Sequence, residues 1–242
     1  MTGAEPVAGL ETAGSLLAVA AHPDDLDFGC AATLARFVDA GARGVELVAT
    51  RGDSGSSDPS MTRERLREIR TAEAEAAAAV LGAELVMLDH PDGEVVNDVD
   101  LRREVSREMR RTRPDVMVVL DPSPVIGDGF INHPDHRAVA QAALDSVLTG
   151  ASTRLIFPEL AEEGLEPHKP SVILLIRPRV SPGNFAVDVT ATIERKVEAL
   201  RAHVSQVGER DVATMVRDWA RAVGKDHDME FAESFHRIDV MN

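Results

Sequence analysis

Two short strings set imidazoles and carboxylates around a proline: Ala21-His22-Pro23-Asp24-Asp25 and, further along the chain, His133-Pro134-Asp135-His136. Each follows a strand-like segment and precedes a helix-like one. Together they offer enough donors for one metal ion and for the acid–base groups that would work around it. His22 and Asp25 are three residues apart, and His136 enters from another loop. Two imidazoles and one carboxylate make three protein ligands and leave positions open for water and substrate, the pattern of a catalytic zinc site. The same triad also suits non-haem Fe(II). Water bound to such a metal has its pKa lowered to about 7. Asp24 and His133 then stand beside the metal without ligating it. A carboxylate there can take the proton of the water, and an imidazole can stabilise an oxyanion and protonate a leaving group.

The elements that must position these groups alternate. Apolar runs of strand length lie at 15–20, 45–49, 85–88 and 116–120. Amphipathic helical spacing covers 29–40, 62–81, 100–113 and 136–149. Gly41, Gly82 and Gly150 provide helix stops, and Arg113-Pro114 closes another helix through the restriction on residues before proline. Continuous apolar strands between amphipathic helices predict an α/β fold: a Rossmann-like, mostly parallel sheet with helices on both faces. Beyond Gly150 the pattern loosens into strands at 172–176 and 185–187 and helices at 191–204 and 212–223, a C-terminal elaboration. With no linker, repeat or low-complexity stretch, 1–242 reads as a single domain. In an open parallel sheet, ligands bind beyond the carboxyl ends of the strands. The loops 21–28, 50–61, 89–97 and 121–132 should therefore share one rim, which collects both His-Pro-Asp strings.

Composition excludes several other functions. The net charge is −15, so a broad basic surface for nucleic acid or an anionic membrane is not expected. One cysteine, Cys30, cannot form an intramolecular disulfide or a cysteine zinc cluster and fits a reducing, cytoplasmic compartment. The N-terminal segment carries Glu5 and Glu11 where a signal peptide would carry Lys or Arg, and its apolar run is too short for a membrane span. The first strand–helix turn has two acidic residues in place of G-x-G-x-x-G, which would repel a pyrophosphate. Neither a Walker A motif nor the G-x-S-x-G spacing of a nucleophile elbow occurs.

Over about 17–206 the chain resembles the LmbE-like, or PIG-L, family of zinc-dependent N-deacetylases. The resemblance rests on both His-Pro-Asp strings and on Gly29, Ala32-Thr33-Leu34-Ala35 and Thr50-Arg51-Gly52-Asp53. It continues through Arg70-Thr71-Ala72-Glu73, Leu81-Gly82, Asp92-Gly93 and Arg137, then Lys196, Ala199-Leu200, His203, Ser205 and Gln206. It implies that His22, Asp25 and His136 hold the metal, Zn²⁺ with Fe²⁺ as the alternative. It makes Asp24 the general base and a protonated His133 the acid and oxyanion partner, with Asp135 orienting His133. Arg70 and Asp92 match positions that hold the sugar in related deacetylases. The implied reaction removes acetyl from an N-acetylated, N-acetylglucosamine-type sugar, giving amine and acetate, in a homo-oligomer that binds neither nucleic acid nor membrane. The alternatives are an amidase acting on a larger conjugate at the same centre and a non-catalytic metal- or sugar-binding domain. The chain departs from the family pattern at Leu26, where Glu is usual, and in having no Tyr to assist the oxyanion. His203 has no role assigned to it here, and the loop 121–132 is long.

Overall fold

In the computed structural model, residues 7–127, 129–176 and 183–241 are described. Glu5 and Asp128, in the loop 121–132, lie outside them. The order begins β1 (Ser15–Ala20), α1 (Asp25–Gly29), α2 (Ala31–Asp39), β2 (Arg43–Thr50), α3 (Arg63–Leu81) and β3 (Glu84–His90). It continues with α4 (Val99–Thr112), β4 (Val116–Leu120), a hairpin of β5 (Ile126–Gly127) and β6 (Phe130–Ile131), and α5 (Pro134–Leu148). After α5 come α6 (Pro158–Glu162), β7 (Val172–Ile176), β8 (Phe185–Asp188), α7 (Ile193–Ala202), α8 (Val204–Val207), α9 (Val212–Lys225) and β9 (Ala232–Asp239). Local chemistry sets the ends of the long helices. The Thr62 side chain caps α3 by accepting from Arg65 N–H, and Gly82, at φ +70°, ends it in the left-handed region. Asp98 caps α4 in the same way.

The main sheet has the strand order β3-β2-β1-β4-β7-β9-β8. β1 to β4 and β7 are parallel, and β9 is antiparallel to both of its neighbours. The chain winds outward from β1 to β3 and then places β4 on the other side of β1, so the switch point lies between β1 and β4. Successive β1 residues face opposite cores. Leu16, Ala18 and Ala20 pack with α2, α3 and α7, while Leu17 and Val19 pack with α4 and α5 through Val105, Met109 and Val139. The expected α/β architecture and its parallel core are therefore present.

The differences from the sequence reading concern short or polar segments. The helix expected over 29–40 is α2, which starts after Cys30 (φ −147°, ψ 13°), whereas α1, in the segment read as the loop 21–28, was not expected and carries Asp25 of the His22 string. β9 was not expected: Glu233, Ser234, His236 and Arg237 make no apolar run, and its place in the sheet comes from pairing with β7 and β8. The stretch after Gly150 is organised by buried Arg110, whose Nη2 donates to the carbonyls of Gly150 (2.6 Å), Ile156 (2.9 Å) and Thr153 (3.0 Å). No helix among the described residues is long and apolar enough to cross a membrane.

Leu17 lies fully buried in the strand that carries the site. Leu17→Ala is expected to cost about 2–5 kcal/mol, read as a lower denaturation midpoint at unchanged slope. A loss under about 1 kcal/mol would show that this face of β1 repacks freely.

Candidate active site

His22 follows β1, and Asp25 opens α1 directly behind it. The Asp25 carboxylate curls back onto its own turn: Oδ2 accepts from the backbone N–H of His22 (2.8 Å) and of Ala21 (3.2 Å). From beyond β4, Pro134 occupies the first turn of α5 and His136 follows on the same turn. His136 Nε2 lies 3.0 Å from Asp25 Oδ1 and 3.1 Å from His22 Nδ1, and His22 Nδ1 lies 3.3 Å from Asp25 Oδ2. Two imidazole nitrogens and the Asp25 carboxylate, which meets His136 through Oδ1 and His22 through Oδ2, thus face one another at the switch point. A tetrahedral cation with bonds of about 2.0–2.2 Å holds its ligands about 3.3–3.6 Å apart, so the triangle fits with a slight expansion. The ring of His133 stands 4.8 Å from that of His22 and 5.3 Å from that of His136, and the three imidazoles themselves form a possible donor group.

The other nitrogen of His22 faces a second set. Nε2 lies 3.1 Å from Asp92 Oδ1 and 3.4 Å from Asp135 Oδ2. His22, Asp92 and Asp135 could also hold an ion by spacing alone. Their carboxylates, like Asp25 Oδ2, are engaged with backbone. Asp135, 0 % exposed, accepts from Gly93 N–H (2.7 Å) and Val95 N–H (3.2 Å), and Asp92 accepts from Ser54 N–H (2.9 Å). That set is closed to solvent, whereas His136 and Asp25 are partly open. A carboxylate that accepts the N–H of a ligating imidazole fixes its tautomer and leaves the other nitrogen free for a metal.

The charges follow from this packing. Burial alone would lower the His22 pKa, but hydrogen bonds and negative charge from Asp25 and Asp92 outweigh it and raise it to about 10. Burial would raise Asp25, yet His136 and His22 hold its carboxyl well below the usual carboxylate range. Asp92 is likewise held low, against its own burial, by His22 and Ser54 N–H. His133 is lowered, first by burial and then by the positive charge of the His22 and His136 rings. A protonated His133 was expected at neutral pH; this environment favours the neutral ring.

Asp24 precedes α1 but makes no capping hydrogen bond. Its Oδ1 instead accepts from Arg70 Nη2 at 2.6 Å, and Arg70 Nη1 donates to Gly52 O at 3.0 Å. Arg70 and Asp92, expected to hold sugar, are 3 % and 7 % exposed. Their hydrogen bonds place them behind the mouth, Arg70 on Asp24 and Asp92 on His22. Asp135, expected to orient His133, sends its carboxylate to His22 and the 93–95 backbone. Only its N–H reaches His133, donating to Nδ1 at 3.3 Å. Sequence reasoning missed Asp27, whose carboxylate accepts from His203 Nε2 at 2.7 Å. An acid two residues beyond Asp25, on a buried helix face, was the available signal.

Gly52 takes φ +67°, and a Cβ there would lie 2.4 Å from the Arg70 guanidinium. Gly52→Ala should therefore displace Arg70 from Asp24 and lower turnover at this site by about tenfold or more. Full turnover in Gly52→Ala would show that this contact does not set Arg70.

The model of the PIG-L family, described as GlcNAc-PI de-N-acetylase, matches residues 17–147, the span from β1 to α5 that holds both strings. A diacetylchitobiose deacetylase of Thermococcus kodakarensis is 28% identical over 86% of this chain and 75% of its own length. A 1D-myo-inositol 2-acetamido-2-deoxy-alpha-D-glucopyranoside deacetylase of Nakamurella multipartita is 31% identical over 79% of each. Among solved structures, the N,N'-diacetylchitobiose deacetylase of Pyrococcus horikoshii superposes with a TM-score of 0.86 at 26% identity, covering 95% of this chain and 85% of that one. With more than half of its length matched by the family model, the chain belongs to the PIG-L family of de-N-acetylases.

Proposed function

We propose that this protein is a metal-dependent N-deacetylase that hydrolyses the acetamido group of an N-acetylglucosamine-type sugar, releasing free amine and acetate. The observation that carries the reading is the triangle of His22 Nδ1, Asp25 and His136 Nε2, 3.0–3.3 Å on its edges, with Asp24 next to Asp25. Those three residues would hold the cation, zinc by preference and Fe(II) as the alternative. When bound, such a cation lowers the pKa of water to about 7 and polarises the amide carbonyl.

The remaining chemistry belongs to side chains of this chain. Asp24 takes the proton of the attacking water, and Arg70 keeps its carboxylate in one orientation. His133 accepts Asp135 N–H on Nδ1, so its neutral ring carries its proton on Nε2. That N–H donates to the oxyanion as the carbonyl becomes tetrahedral. Asp24 then passes its proton to the departing nitrogen, and the C–N bond breaks. Asp92 and Asp135 hold His22 in the tautomer that presents Nδ1. The reading treats the whole chain as one catalytic domain and extends to a reducing cytoplasm, which the lone, buried Cys30 supports.

The test is release of amine and acetate from a panel of N-acetylated sugars by metal-loaded protein. Asp24→Asn should keep the metal and lose roughly 10²–10⁴ in rate. His133→Ala should lose about 10²–10³, while His133→Gln, a permanently neutral donor, recovers part of it. Equal loss in both His133 variants would assign proton transfer to the imidazole. No amine from any sugar at full metal loading would leave a binding domain. Metal affinity gives an independent check. His22 carries a proton below about pH 10, and the cation must displace it. Between pH 6 and 8 the zinc affinity should therefore rise about tenfold per pH unit. A flat profile would show that metal binding displaces no proton from His22.

A further inference from the structure

α1 has five residues and no side-chain cap, so it cannot hold its own position in water. Yet it carries Asp25 in its first turn and Asp24 immediately before it. What holds it comes from the far end of the chain. Asp27 accepts from His203 Nε2 at 2.7 Å, with both groups buried. Phe28 O accepts from Lys196 Nζ at 2.8 Å, and Lys196 pairs with Glu233 of β9. Glu233 also accepts Thr33 N–H at 2.8 Å, at the start of α2. The same segment reaches the helix that carries Arg70. Ser205 donates its N–H and its hydroxyl to the Glu73 carboxylate at 2.7 and 2.6 Å, one turn along α3 from Arg70. Gln206 Nε2 donates to Gly55 O at 3.3 Å, in the loop that carries Gly52. His203 sits at the corner where α7 meets α8, so one bend of the chain grips α1 on one side and α3 on the other.

The geometry points to His203 as a positioning residue: its hydrogen bond to Asp27 sets the attitude of α1, and through it the placement of Asp24 against Arg70 and of Asp25 against the two ligating imidazoles. This inference rests on the reading of Asp24 as base and Asp25 as ligand. His203 touches neither substrate nor metal. It lies outside the span matched by the family model, in the part of the chain that completes the sheet behind the site.

The experiment compares His203→Leu with His203→Gln in the full chain. Gln places a donor nitrogen where Nε2 was, and Leu keeps the bulk without a donor. His203→Leu should weaken zinc about tenfold or more in chelator competition. At saturating zinc, counted per metal-loaded site, it should lower kcat about ten- to hundredfold with KM changed less than about threefold. His203→Gln should return both to within about threefold of the parent. In an Asp24→Asn background at saturating zinc, His203→Leu should change the residual rate by less than about threefold, because the base it positions is gone, while the weaker zinc binding that comes through Asp25 should remain. If the single Leu variant does not fold, Asp27→Leu with His203→Leu removes the bond without stranding a buried charge and must show the same losses. The inference is overturned if the Leu variants lose only thermal stability, with zinc affinity and kcat per site intact. It is equally overturned if Gln is as impaired as Leu, or if the Leu effect on the rate persists undiminished without Asp24. Failure of the deacetylase reading shows separately, as a parent protein that binds zinc and releases no amine.

Discussion

The imidazole of His22 is engaged on both of its nitrogens, and the site is organised around that fact. On one side Nδ1 meets Asp25 and His136; on the other Nε2 meets Asp92 and Asp135. Burying two carboxylates against a single ring is costly unless each is hydrogen-bonded. Here Gly93, Val95 and Ser54 supply backbone N–H groups to them. The loops after β2 and β3 are thereby tied to the loop after β1, and Asp135 brings in the start of α5. One ring thus gathers segments from four strand ends. It also separates their roles, with closed, backbone-bonded acids behind and partly open donors in front.

The parallel sheet makes this possible. With β1 and β4 adjacent and the chain turning opposite ways from them, the two His-Pro-Asp strings emerge side by side at the carboxyl edge. Pro134 is the first residue of α5, and α1 begins two residues after Pro23, so Asp25, Asp135 and His136 occupy first turns whose backbone is already fixed. The C-terminal elaboration extends the sheet through β7, β9 and β8 and returns α7 across the face covered by α2 and α3. Its buried pairs, His203 with Asp27 and Lys196 with Glu233, are expensive to desolvate and poor sources of net stability. Their value lies in direction: each donor reaches a helix too short to direct itself.

His22, Asp25 and His136, read from the sequence as metal ligands, are brought together by the fold; the signal was the pairing of imidazole and carboxylate around a proline in two separate strings. The parallel core was legible for a related reason, since 15–20, 45–49 and 116–120 are buried on both faces and read as near-continuous apolar runs, interrupted in 45–49 only by Glu46. Partners were harder to read. Arg70 and Asp92 were visible as polar residues at rim positions. Whether each faces a ligand or a neighbouring carboxylate or ring depends on loop paths that no local spacing encodes. β9 escaped for the same reason: Glu233 is buried in a strand because Lys196 and Thr33 meet it there. Local propensity says nothing of that meeting. α1 was hidden because its five residues lie in a segment read as a loop after the first strand.

The central claim is that a metal binds on the Nδ1 side of His22 and that the acids on the Nε2 side only orient the ring. Anomalous diffraction at the zinc edge, from crystals of zinc-loaded protein, tests it most directly. The account predicts one peak about 2.0–2.2 Å from His22 Nδ1, an Asp25 oxygen and His136 Nε2. A peak instead between His22 Nε2, Asp92 and Asp135 would contradict it.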